Sequence, residues 1–179
     1  MDPVNAYCNR LRTGRRKRYE PKFHITLGNH ENRIDRACAE NPQLSQALQV
    51  SDLGYHDAGW NVVPFLKPLV IDEIAYQHYF TSGVMGRPIG GENHAASLVK
   101  KGYMSCVVGH SHMRDYWETV DVSGRKRFGL VSGCYDEGDH HYTTEGRRWW
   151  SGLTMLHEVN QGQCSPAFFD LSYLIREYN

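Results

Sequence analysis

The chain has 179 residues, of which 40% are hydrophobic and 12% aromatic. That is long enough to bury a core and too apolar for a disordered segment. Its 20 basic and 20 acidic residues cancel, so net charge gives no general attraction to nucleic acid or membrane, and any steering must be local. The length points to one domain, residues 1–179. No apolar stretch approaches the roughly 20 residues of a membrane helix. The first twenty residues are polar and basic, without the apolar centre of a signal peptide. The five cysteines (Cys8, Cys38, Cys106, Cys134 and Cys164) show no C-x-x-C spacing. They read as reduced thiols of a cytoplasmic protein and not as a disulfide framework or zinc ribbon. Ten histidines are the unusual feature, because histidine titrates near neutrality and binds metals readily.

In chain order, residues 2–12 read as a short helix after Pro3, with Val4, Cys8 and Leu11 on one side. A basic run, "RTGRRKRYEP", is broken by Gly14 and closed by Pro21. Phe23 to Leu27 reads as a short buried strand ending at Gly28. The stretch "ENRIDRACAENPQLSQALQ" (31–49) is helical in pattern and interrupted by Pro42. Residues 54–80 contain β-branched and aromatic runs that predict two or three strands, with Pro64 and Pro68 marking edges or bends. "VMGRPIGG" (84–91) is a glycine-rich loop without the lysine and spacing of a P-loop. "ENHAASLVKKGY" (92–103) predicts a helix ending at Gly102. "MSCVV" (104–108) is a compact buried strand running into "GHSHM", and "RKRFGLVSGCY" (125–135) is another strand. Residues 149–171 predict a hairpin around Gln161-Gly162, and "SYLIREY" (172–178) a closing helix or strand. The partial alternation of strands and helices, with hairpins, predicts a layered α/β sandwich with a mixed sheet.

Three strand ends carry polar residues. "FHITLGNHENR" (23–33) stops an apolar run at Gly28 and continues with Asn29, His30 and Glu31. "AYQHYFTSG" (75–83) places His78 at the end of a second run. "VVGHSHM" (107–113) places His110 and His112 just beyond Gly109. In an extended loop alternate residues point to opposite sides, so two histidines two apart serve two neighbouring ions better than one. A tight turn with two exposed histidines is the plainer reading of the last motif. His78 taken singly reads as a half-buried core histidine. Together the three segments present imidazole and amide ligands from separate strand ends, a common way to assemble a metal site in α/β proteins.

The order GNHE, a lone histidine within "QHYFTSG", then GHSH resembles the calcineurin-like metallophosphoesterase family, over Gly28 to His112. The resemblance implies a layered αββα sandwich with mixed sheets. It implies hydrolysis of a phosphomonoester or phosphodiester by metal-activated water at a dinuclear centre. By the same resemblance Asn29, His78 and His110 hold one metal, and His112 belongs to the other. His30 stands beside the scissile phosphate and protonates the leaving oxygen, while Glu31 shapes the loop. Such chemistry is coherent: two metals roughly 3.5–4 Å apart clamp both oxygens of an in-line displacement, and a histidine poised near neutrality suits general-acid work. Mixed nitrogen and oxygen ligation fits Mn, Fe or Zn better than Mg or Ca.

The family pattern opens with D-x-H on a first strand and GDxxD on a second, and neither stands ahead of Gly28. The 27 residues before Gly28 read as the helix and basic loop that precede GNHE. The chain is therefore expected to be N-terminally incomplete, short of two core strands. Three consequences are open: a fragment completed by another chain, a degenerate member that binds one metal or none, or substitution by Asp136, Glu137 and Asp139. Those acids with His140 and His141 form "CYDEGDHHY", which reads as a polar surface loop or an extra metal site. Missing strands would leave edges that favour pairing, as a homo-oligomer or with a complementing chain.

Arg12, Arg15, Arg16, Lys17 and Arg18 either track a nucleic-acid backbone or form a solvated loop. Arg33 either grips a substrate phosphate bidentately or lies on a helix surface. Trp149 and Trp150 either stack a base or pack in a core or interface. The sequence thus predicts a metal-dependent phosphoesterase with a phosphate-ester substrate and no membrane partner. Its competitor is an inactive, metallophosphoesterase-like binding or assembly subunit.

Overall fold

Short strands carrying Val, Ile and Phe, set between polar turns, give a mixed α/β chain. The computed structural model describes residues 20–136 and 149–178. The predicted helix at 2–12, the basic run from Arg12 to Arg18, and Glu137, Asp139, His140 and His141 lie outside the described residues. The chain divides into two compact units, Met1–Pro64 and Phe65–Asn179.

In the first unit β1 (His24–Thr26) and β2 (Asn61–Val63) pair in parallel, with His24 opposite Asn61 and Thr26 opposite Val63. Leu27 N–H extends the ladder to the Val63 carbonyl at 3.0 Å, and both side chains are buried. A parallel pair requires a crossover. Here it is α1 (Glu31–Glu40) followed by two 3-10 turns, Pro42–Gln46 and Val50–Leu53. Pro42, which lacks an N–H and clashes with a preceding turn, ends α1 and opens the first 3-10 turn as the sequence predicts.

The second unit contains β3 (Leu69–Ile71), β4 (Ile74–Tyr76), β5 (Thr81–Ser82), β6 (Arg87–Pro88), α2 (His94–Gly102), β7 (Ser105–Val108), β8 (Arg114–Val120), β9 (Lys126–Ser132), β10 (Gly152–Asn160), β11 (Gln163–Asp170) and α3 (Leu171–Tyr178). Five of these strands form a mixed sheet in the order β3-β4-β7-β9-β8. The central strands β4, β7 and β9 run parallel, while β3 and β8 pair antiparallel at the edges. The "VMGRPIGG" stretch differs from the predicted loop: β5 and β6 pair as a minimal hairpin, turned by Gly83 and Gly86 at positive φ. The closing segment is helical, as α3.

Alternation along the strands sorts the core onto two faces. Ala75, Cys106, Val108 and Val131 pack with Ile89 and Leu98, the latter from α2. Ile74, Phe128 and Leu130 point the other way, against Leu156, Val159, Cys164 and Phe168 of the β10–β11 hairpin. Burial of each such aliphatic or aromatic side chain stabilises by about 2 kcal/mol. The hairpin turns at Gln161-Gly162 as predicted, with φ of 48° and 77°, the two positive values a type I′ turn needs. No described helix is long and apolar enough to cross a membrane.

Gly129 is what lets α2 sit against the sheet. A Cβ at this position of β9 would overlap the carbonyl oxygen and carbon of Ala95, which are backbone atoms and cannot swing aside. Gly129→Ala is therefore expected to lower the unfolding free energy by about 2 kcal/mol or more, the scale of an overpacked core. Urea unfolding followed by far-ultraviolet circular dichroism reads the change; a loss under about 0.5 kcal/mol, the surface-substitution range, would contradict this packing.

Candidate functional site

The parallel sheet directs the ends of β4 and β7 to the same edge. Past the last paired residues, Tyr76 and Val107, Gln77 N–H still donates to the Val107 carbonyl at 3.2 Å. The His78 carbonyl then accepts both Gly109 N–H and His110 N–H, at 3.3 and 3.2 Å. These bonds bring the two imidazoles together, with His78 Nε2 2.9 Å from His110 Nδ1. Two imidazole nitrogens this close repel unless a proton or a cation lies between them, because each neutral ring carries one lone-pair nitrogen. Tyr79 stands beside both rings, with centroids 5.6 Å from His78 and 4.8 Å from His110, and Phe65 lies 6.5 Å from His78.

GHSH is a tight turn and not an extended loop. His112 N–H donates to the Gly109 carbonyl at 3.3 Å, and His112 adopts φ 57°, a left-handed conformation that histidine visits more readily than most residues. The two histidines nonetheless have different neighbours. His110 meets His78, whereas the His112 ring lies edge-on to Trp149 at 4.3 Å, and its carbonyl accepts Trp150 N–H at 2.9 Å.

The GNHE residues belong to the first unit. Gly28 N–H donates to Glu31 Oε2 at 2.7 Å, so this carboxylate ties the strand end to the start of α1. Asn32 N–H returns to the Gly28 carbonyl at 3.1 Å. His30 is the N-cap residue of α1 and is exposed, as is Arg33 in the first helical turn; Asn29 is half-buried. A helix start presents N–H groups and positive dipole character, which suits an anionic group.

Of the sequence-predicted metal ligands, His78 and His110 are brought into direct contact. A 2.9 Å span suits two nitrogen ligands of one ion at bond lengths of about 2.0–2.1 Å. Among the described residues no group of three or more His, Cys, Asp or Glu is assembled to hold a metal, and the amide of Asn29 falls outside that residue set. The Asp136 backbone carbonyl accepts Ser151 Oγ–H at 2.6 Å.

Trp150 is a packing residue. Its indole N–H donates to Asp170, and the Arg114 guanidinium lies 5.0 Å over its ring. Gly133 and Gly152 leave the space it fills, since a Cβ at either would overlap Trp150. His94, the first residue of α2, is buried at 1% exposure. Its Nδ1 lies 3.2 Å from Ser111 Oγ. Burial pushes the His94 pKa below the ordinary 6.5, against the opposing pull of Asp115.

No family model, curated protein or solved structure matches the chain.

A histidine that holds its proton less tightly when folded contributes stability that is present above its unfolded pKa of 6.5 and lost as pH falls below it. The unfolding free energy of the wild type is expected to drop from pH 6.5 downward, and less steeply in His94→Leu. Urea titrations at stepped pH measure both slopes; equal slopes would contradict a neutral buried His94.

Proposed function

We propose that this chain is a metal-dependent phosphoesterase of the calcineurin-like metallophosphoesterase type, with the layered αββα sandwich that type implies. The observation that carries the reading is the contact between His78 and His110 at adjacent parallel strand ends, 2.9 Å apart. The motif order GNHE, lone His, GHSH supports it. His78 and His110 hold one divalent metal, and His112 serves the second. Mn, Fe or Zn suits imidazole donors. The metals supply Lewis acidity and lower the pKa of water. His30, exposed at the start of α1, donates a proton to the leaving oxygen. Arg33 in the same helical turn grips a phosphate oxygen pair. The substrate is a phosphomonoester or phosphodiester, nucleic acid among them.

A second reading is an inactive, metallophosphoesterase-like binding or assembly subunit.

The discriminating experiment is metal content per chain together with Mn-dependent hydrolysis of bis(4-nitrophenyl) phosphate. The enzyme reading expects bound metal and turnover, and a kcat loss of roughly 10²–10⁴-fold in His30→Ala at unchanged metal content. Bound metal without turnover supports the binding subunit. Neither metal nor turnover after adding Mn removes the enzyme reading.

A further inference from the structure

The first turn of α2 is fastened at two places, to the GHSH turn itself and to the strand β8 that follows it. His94 Nδ1 meets Ser111 Oγ at 3.2 Å, and Ala95 N–H donates to Asp115 Oδ2 at 2.8 Å. The Ala95 backbone also rests directly on β9, where Gly129 leaves no gap for it to shift. The helix start is therefore a fixed point against which residues 111–115 are held.

His94 is an expensive residue at this position. It is 1% exposed, and its Nε2 has no hydrogen-bond partner among the described residues. A buried polar atom left unsatisfied costs stability, and its neighbours Ala95 and Leu98 are fully buried apolar residues. Leucine would fill the site without that cost. What leucine cannot supply is the bond to Ser111, the residue between His110 and His112.

We propose that His94 is a positioning residue for the GHSH turn: by fixing Ser111 it sets where the flanking imidazoles stand, His110 against His78 and His112 against Trp149. A neutral ring suits this task, since Nδ1 can accept the serine proton. The anchoring claim stands on geometry. Its functional half, that the anchored pair holds a metal, rests on the phosphoesterase reading.

Hydrogen–deuterium exchange of the full chain tests the anchoring without any metal. The amides of Gly109, His110 and His112 are hydrogen-bonded within the turn region and report on it. His94→Leu is expected to speed exchange of the segment 109–113 on the order of five- to tenfold, with β7 and β9 unchanged. Ser111→Ala, a substitution in a half-buried turn, should do the same. The double variant should add nothing beyond either single change. His94→Asn, whose amide reaches the Nδ1 position, should restore most of the protection. Unaltered exchange in Ser111→Ala and His94→Leu, or effects that multiply in the double variant, would overturn the proposal.

Co²⁺ absorption titrations separate the two halves. A wild type that binds no Co²⁺ sinks the metal reading and leaves the anchoring to stand on exchange. Equal Co²⁺ affinity in wild type and His94→Leu, with a loosened turn, overturns the functional half.

Discussion

The His78 carbonyl oxygen is the point on which the candidate site depends. It accepts two consecutive N–H groups, those of Gly109 and His110, and so carries the β4–β7 ladder one step beyond the strands. In a parallel pair both strands finish at the same edge, so side chains just past the ends emerge together. Here those side chains are His78 and His110. β9 reinforces the edge from the other side: it is parallel to β7, with Val108 opposite Val131. Ser132 Oγ–H donates to the Val108 carbonyl at 3.1 Å. Ligand sites in open α/β sheets lie outside such carboxyl ends because the loops there are free to carry chemistry while the strands stay buried.

The sheet can hold that edge because both its faces are covered. One face receives α2, seated over Gly129; the other receives the β10–β11 hairpin. Ser105 links the second layer to the sheet. Its buried hydroxyl donates to the Gly162 carbonyl and accepts Phe128 N–H at 3.2 Å, so a core strand, its neighbour and the hairpin turn share one polar atom. The backbone carbonyl of Asp72, in the β3–β4 turn, accepts the buried Gly162 N–H at 2.7 Å. Such satisfied buried polar groups fix one register where apolar packing alone would allow several.

Much of this was legible in the sequence wherever the information is local. The aliphatic run Cys106–Val108 reads as a buried strand, and Gln161-Gly162 demands a hairpin with positive φ. Ala95, Leu98 and Val99 mark the buried stripe of α2. Pro42 stops α1 where it stands. β8 is not legible in the sequence because Arg114, Asp115 and Glu118 mask the alternation of an edge strand with one wet face. The role of His94 was not legible either. Its partner Ser111 lies across the sheet edge, and nothing near Asn93 or Ala95 announces it. The GHSH motif forms the tight turn that was its plainer reading, closed by the His112 N–H bond to the Gly109 carbonyl and the left-handed His112, with both histidines half-buried and not exposed. The ligand motifs themselves were read through a family resemblance, which names His78 and His110 without showing that they touch.

His78 and His110 are proposed to take one metal between them. Nitrogen-15 NMR of the histidine side chains during a Zn²⁺ titration tests it most directly. His78 Nε2 and His110 Nδ1 are predicted to shift together to metal-bound values, complete at one equivalent for that pair and lost in His78→Ala. Saturation with Zn²⁺ that leaves both resonances in place, or that moves either without the other, would contradict it.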